Sequence, residues 1–152
     1  MKILIVFATN SGGTGIAADI VKETFIKNGH QAEVKEVREL NIDEFADFDL
    51  VILSSPTWDY EGLEGQPHPD YRPFMDSAQN KKFTGKKFAV LGLGDSSYTY
   101  FCKAVDHLEK FVKQLGGTLI DMSLRIDGFY LDQETNTQKI ADWSQSLSQK
   151  LS

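Results

Sequence analysis

The chain alternates between short apolar runs and longer segments in which apolar residues recur every three or four positions. Ile3-Leu4-Ile5-Val6-Phe7 is continuous and apolar, as in a strand covered on both faces. Ile16, Ala17, Ile20, Val21 and Phe25 then recur at helical spacing, which predicts a helix over 13–28 stopped by Gly29. Alternation predicts a second strand over 31–37, and 39–45 reads as a short helical or irregular link. Leu50-Val51-Ile52-Leu53 is a third strand. A long polar segment, 57–73, leads into a short helix near 74–78. Phe88-Ala89-Val90-Leu91 is a fourth strand, followed by a helix over 101–115 closed by Gly116-Gly117. A fifth strand is expected over 118–124, and a last helix over 137–151 with Ile140, Trp143, Leu147 and Leu151 on one face.

Five strands alternating with helices predict an α/β fold, a doubly wound parallel sheet with helices on both faces. The length of 152 residues suits a single domain spanning 1–152. Such sheets bind ligands beyond the carboxyl ends of their strands, where the strand order reverses. Three turns fall at that edge: 8–14, 55–62 and 92–102.

The first turn, Ala8-Thr9-Asn10-Ser11-Gly12-Gly13-Thr14-Gly15, sets hydroxyl and amide side chains among glycines at a helix N-terminus. Backbone N–H groups there lack intrahelical acceptors, and the helix dipole adds partial positive charge, so the turn suits an anion. An ordinary N-cap cluster uses the same residue types. The turn holds no Lys or Arg, so the triphosphate loop Gly-x-x-x-x-Gly-Lys-[Ser/Thr] is absent. Gly13-Thr14-Gly15-Ile16-Ala17-Ala18 matches the dinucleotide fingerprint Gly-x-Gly-x-x-Gly/Ala, with Glu36 near the ribose-binding position. Its first glycine lies too far from the strand, which makes dinucleotide binding the second alternative.

The second turn offers Trp58 and Tyr60, the third two glycines and the aromatics Tyr98, Tyr100 and Phe101. A phosphate site beside aromatics from two turns suits a flat phosphorylated ring, and flavin mononucleotide (FMN) fits that description. Core packing is the competing role for these aromatics.

At this point the chain resembles the short-chain flavodoxins over essentially its whole length. Thr9-Asn10-Ser11-Gly12-Gly13-Thr14 resembles their phosphate loop, [Ser/Thr]-x-Thr-Gly-Asn-Thr. Pro56-Thr57-Trp58 resembles the second flavin loop. Gly92-Leu93-Gly94-Asp95-Ser96-Ser97-Tyr98 through Cys102 resembles the third very closely, and Leu124-Arg125-Ile126-Asp127-Gly128 matches short-chain members after strand five. Long-chain members carry an insertion in strand five, for which this sequence shows no room.

The resemblance implies strand order 2-1-3-4-5 and an FMN electron carrier of low potential without a substrate of its own. It implies that Thr9, Asn10, Ser11, Gly12, Gly13 and Thr14 hold the phosphate. Trp58 would cover the inner flavin face and Tyr98 the outer. Backbone groups of Leu93, Gly94, Asp95, Tyr100, Phe101 and Cys102 would line the pyrimidine edge, and Ser55, Pro56, Thr57, Asp59 and Tyr60 complete the second loop. Three residues depart from the family pattern: Gly13 stands for Asn, Gly15 for Glu, and Asp59 for Gly after the inner aromatic. The second loop also reads about two residues longer than in short relatives, and this bears on redox tuning. An FMN-dependent NAD(P)H:quinone oxidoreductase on the same fold is the alternative; Tyr98 as a lid argues against its substrate pocket. A phosphoacceptor domain is excluded, because the ends of strands one and three read Ala8-Thr9 and Ser54-Ser55 rather than Asp.

Net charge is −6, which disfavours nucleic acid and anionic membrane surfaces; a modest acidic excess by itself only keeps a protein soluble, and it is the resemblance that implies redox protein partners with basic docking faces. No apolar run reaches membrane-spanning length. The lone Cys102 excludes an internal disulfide framework and fits the cytoplasm. A monomer is expected, and His30, His68 and His107 lack metal-ligand spacing, so no metal site is expected.

Overall fold

The computed structural model describes residues 1–8, 12–60, 63–97 and 101–151, with residues 58–60 described by backbone alone. The central strands are β1 (Lys2–Phe7), β2 (Gln31–Glu36), β3 (Leu50–Tyr60) and β5 (Lys87–Gly94). β4 (Leu63–Pro67), β6 (Thr118–Leu119) and β7 (Leu124–Asp127) complete the sheet, whose order is β2-β1-β3-β5-β6. β1 pairs parallel with β2 and β3, and β3 pairs parallel with β5. The expected order is therefore observed, with β6 and β7 together forming its outer strand.

Helices α1 (Gly13–Lys27) and α4 (Gln133–Lys150) cover one face, and α2 (Tyr71–Ser77) and α3 (Ala104–Gln114) the other. The period-two geometry of a strand divides the core between them. Leu4, Val6, Val51 and Leu53 pack with Phe111 and Val112 of α3. Ile3, Ile5, Leu50 and Ile52 pack with Ala17, Val21 and Phe25 of α1 and Ile140 and Leu147 of α4. All four β1 residues from Ile3 to Val6 are fully buried, as the unbroken apolar run predicts. Gly29 ends α1 at φ 86°, where its N–H donates to Ile26 O, and the N–H of His30 donates to Phe25 O.

Besides shifts of three and four residues at the starts of α3 and α4, three features differ from the sequence reading. The fifth strand does not run unbroken over 118–124. β6 pairs with Lys87 and Phe88, whereas β7 pairs with Leu91 to Gly94. From Phe88 to Leu91 is three steps on β5, while Leu119 to Leu124 is five on the partner. Two extra residues leave the ladder, and Asp121 caps that excursion by accepting the Met122 N–H at 2.7 Å and pairing with Lys150 at 3.0 Å.

The polar stretch after the third strand is a β-hairpin rather than a loop. β3 continues to Tyr60 and pairs antiparallel with β4, Thr57 opposite Pro67 and Trp58 opposite Gln66, with a register shift between Trp58 and Tyr60. The polar composition hid it, because only part of this ribbon is covered: Leu63 and Glu64 are exposed and Gly65 is buried.

The short helix begins at Tyr71 rather than near 74. Tyr71 is fully buried, and its hydroxyl donates to Ser54 O at 2.8 Å. The Ser54 hydroxyl in turn donates to Val6 O at 2.7 Å, which ties α2 and β3 to the end of β1.

Candidate functional site at the carboxyl edge of the sheet

The carboxyl ends of β1, β3, β5 and β7 meet at one edge. α1 starts there, directly after β1. Its N-cap is Gly12, at φ 86°, a left-handed conformation that glycine adopts without a Cβ penalty. Among the described residues no side chain caps the helix by hydrogen bonding, and its first turn holds no acidic residue. The first intrahelical bond runs from the Ile16 N–H to Gly12 O at 3.0 Å. The N–H groups of Gly13, Thr14 and Gly15 precede that bond and point out of the helix end. Gly13 and Thr14 are buried, so this donor set is partly screened from bulk water.

The third loop lies against the first. A Cβ built on Gly13 would stand 3.3 Å from Leu93 Cδ2. Leu93 is 7% exposed, and Gly94 follows it at the end of β5. The loop then turns outward through Asp95, Ser96 and Ser97, all exposed. Asp95 accepts the Ser97 N–H at 2.8 Å, and bonds from Ser97 hold its carboxyl below the usual range. Asp127 accepts the Ser96 N–H at 2.9 Å, and the N–H of Gly128 donates to Gly94 O at 2.8 Å, so β7 braces the loop from outside.

The loop returns at Cys102, which is fully buried and adopts φ 49°. Its thiol points toward the carbonyls of Gly92 and Ile126, and burial pushes it up to about 12. Arg125 Nη1 donates to Cys102 O at 2.8 Å and Nη2 to Asp106 Oδ1 at 2.7 Å, holding this strained residue from behind. Phe101 is half-buried against the core of the α2–α3 face.

The second loop is joined to the third where the Ala104 N–H donates to Thr57 Oγ1 at 3.3 Å. Pro56 and Thr57 are half-buried. Ser55 is fully buried. Its hydroxyl donates to Pro56 O at 2.7 Å and accepts the His68 N–H at 2.8 Å, which assigns it to holding the hairpin. Among the expected site residues, Thr9, Asn10, Ser11, Tyr98 and Tyr100 lie outside the described residues, and Trp58, Asp59 and Tyr60 are placed by backbone alone.

Two nearby residues were not singled out from the sequence. Arg125 is one. The other is Tyr130, whose ring atom Cε2 lies 3.3 Å from the Cβ position of Gly13 and whose hydroxyl lies 3.5 Å from that of Gly12. The available signal was a fourth turn at the same edge, Gly128-Phe129-Tyr130-Leu131, directly after the fifth strand.

An α/β sheet that gathers a helix N-terminus and loops at its carboxyl edge is of the doubly wound class, whose ligands bind beyond the carboxyl ends of the strands. Comparison with known proteins makes this specific. The family model described as Flavodoxin matches residues 5–143, and the chain belongs to that family. A flavodoxin of Maridesulfovibrio salexigens is 35% identical over 151 residues, 99% of each chain. The structure of flavodoxin 2 from Bacillus cereus superposes with a TM-score of 0.89 at 30% identity over 99% of each chain. A flavodoxin from Fusobacterium nucleatum shares the fold, with a TM-score of 0.83 at 20% identity over 98% of each chain.

Proposed function

We infer that this chain is a one-electron carrier that works through a non-covalent FMN and passes electrons between redox proteins. The observation that carries this reading is the contact between the first turn of α1 and the third loop, at Gly13 and Leu93, within a chain of the flavodoxin family. The Fusobacterium nucleatum flavodoxin is described as bound to flavin mononucleotide. Electron-transfer flavoproteins of this family are not enzymes, and nothing favours a quinone reductase on this fold.

The residues present fit that ligand. Neutral N–H donors at Gly13, Thr14 and Gly15, with the side chains of Thr9, Asn10, Ser11 and Thr14, would hold the terminal phosphate, helped by the helix dipole. The backbone of Leu93, Gly94 and Asp95, and of Tyr100 to Cys102, would line the ring edge. Trp58 and Tyr98 would cover its faces and exclude water. Bound there, the flavin supplies reversible electron uptake that the side chains cannot. The protein's part is to hold it and set its surroundings. The phosphate turn carries no cation, and Arg125 is already paired with Asp106. Negative surroundings oppose added negative charge on the ring, which favours a low potential.

The finer expectations belong to this reading. The chain acts as one domain and as a monomer, in the cytoplasm. No helix among the described residues is long and apolar enough to cross a membrane. Its partners present basic faces to an acidic rim that includes Glu64, Asp95 and Asp132, all exposed.

The test is direct. Purified protein should be yellow and release FMN, one per chain, on acid treatment. Preferential recovery of flavin adenine dinucleotide or a nicotinamide dinucleotide would overturn the reading. Reduction of the bound flavin by NAD(P)H alone would point to the reductase instead.

A further inference from the structure

The turn between β7 and α4 brings an aromatic side chain over the N-terminus of α1. Tyr130 is 51% exposed, yet its position is set from both sides. Its ring stacks edge-on against Phe129 at 5.3 Å between centroids. Phe129 is 4% exposed and belongs to the core beneath α1 and α4. The backbone around it is clamped by Asn136, itself 5% exposed, whose Nδ2 donates to Gly128 O and Phe129 O at 3.2 Å each. Gly128 is tied to Gly94, and Leu131 N–H donates back to Gly128 O at 2.9 Å. Asp132 then caps α4 by accepting the Thr135 N–H at 3.2 Å. The backbone that carries Tyr130 is thus constrained, and Phe129 supports one side of its ring.

The place it takes is the space above Gly12 and Gly13. A Cβ on Gly13 would meet Leu93 Cδ2 and Tyr130 Cε2 at 3.3 Å each, tighter than ordinary contact. Gly13 is also where the phosphate loop lacks the amide side chain expected from the resemblance. The two observations fit together: a side chain at 13 would crowd the Tyr130 ring and Leu93, each of which would have to give way by a few tenths of an ångström. A phenolic hydroxyl is a hydrogen-bond donor, and this one lies at the mouth of the α1 N-terminus.

We propose that Tyr130 is a binding residue of the phosphate site: its hydroxyl donates to the ligand's terminal phosphate beside the first-turn N–H groups of α1, replacing the donor that Gly13 does not supply. This rests on the FMN reading above. It assigns the turn after strand five a binding role and makes positions 13 and 130 dependent on each other.

The experiment titrates apoprotein, made by acid release of the flavin and refolding, with FMN and with riboflavin, which lacks the phosphate. Flavin fluorescence quenching gives both affinities. Tyr130→Phe keeps the ring and removes only the hydroxyl. It should weaken FMN binding by about tenfold, the scale of one hydrogen bond to a charged group, and leave riboflavin affinity unchanged. Equal FMN affinity in Tyr130→Phe and the parent protein would overturn the proposal, as would equal losses for both ligands. Gly13→Asn should weaken FMN binding in the parent protein and do so less, or not at all, in a Tyr130→Ala background. Strictly additive effects would show that the two positions are independent and would also overturn it. Failure of the FMN reading looks different, since the parent apoprotein would then show no preference for FMN over riboflavin.

Discussion

Cys102 stands where any side chain on Gly94 would have to go. A Cβ on Gly94 would lie 2.8 Å from Cys102 Sγ and 3.0 Å from the Cys102 backbone N. The third loop closes on itself through this pair, and Arg125 holds the carbonyl of Cys102 from the far side. Gly94→Ala should therefore force the loop open. We expect a loss of about 1–3 kcal/mol in stability, the range for inserting a methyl into packed structure, read as a lower urea midpoint at unchanged slope. FMN affinity should fall with it. A variant with the parent midpoint would show that the return of the loop is not packed as tightly as the contact implies.

The same burial makes Cys102 chemically quiet. With its thiol pushed up to about 12, the reactive thiolate is on the order of 10⁻⁴ of the population at pH 8. Native protein should react with a disulfide reagent far more slowly than denatured protein. Rapid stoichiometric labelling under native conditions would mean that the third loop opens readily.

Acidification should destabilise the fold before the carboxylates titrate. Burial lowers the affinity of His30, His68 and His107 for a proton below the ordinary value of 6.5. At His68 the Asp70 carboxylate, 3.6 Å away, works in the opposite direction and does not overcome burial. The unfolded chain then binds more protons than the folded one just below pH 6.5, so stability rises with pH there. Their contribution is complete above pH 6.5 and is lost as pH falls toward the lowered folded values. Urea unfolding should show a lower midpoint at pH 5.5 than at pH 8, with a smaller difference in His68→Asn. Asn retains an acceptor for the Asp70 N–H, which donates to His68 Nδ1 at 3.0 Å. An equal drop in that variant would remove His68 from the account.

The acidic rim predicts how partners meet the protein. Opposite charge mainly accelerates encounter, and salt screens it. Electron transfer to a basic partner should slow as ionic strength rises, and the combined change Glu64→Gln, Asp95→Asn, Asp132→Asn should flatten that dependence. A rate indifferent to salt in the parent protein would refute the docking model.

Much of this molecule was legible from its residues alone. β1 and the core of β3 and β5 are unbroken apolar runs because both faces of each are covered, and such runs announce themselves. The ends of α1 and α3 follow from Gly29 and Gly116, whose positive φ is a local requirement. The strand-to-helix turn after β1 and the loop after β5 could be singled out as candidates because each is a contiguous string of residues at the end of a strand.

What the tertiary structure decided depends on pairs far apart in the chain. The break between β6 and β7 is a mismatch of count against β5 and has no local signature. The β3–β4 hairpin pairs Thr57 with Pro67 and Trp58 with Gln66, a match that no apolar alternation in the chain announces. Arg125 holds Cys102, and Tyr130 reaches Gly13 across more than a hundred residues, only because the parallel sheet brings the carboxyl ends of β1, β5 and β7 to the same edge. Periodicity reports which face of an element is buried. It does not report which distant side chain comes to lie against a glycine, since that is settled when the sheet closes and the helices pack upon it.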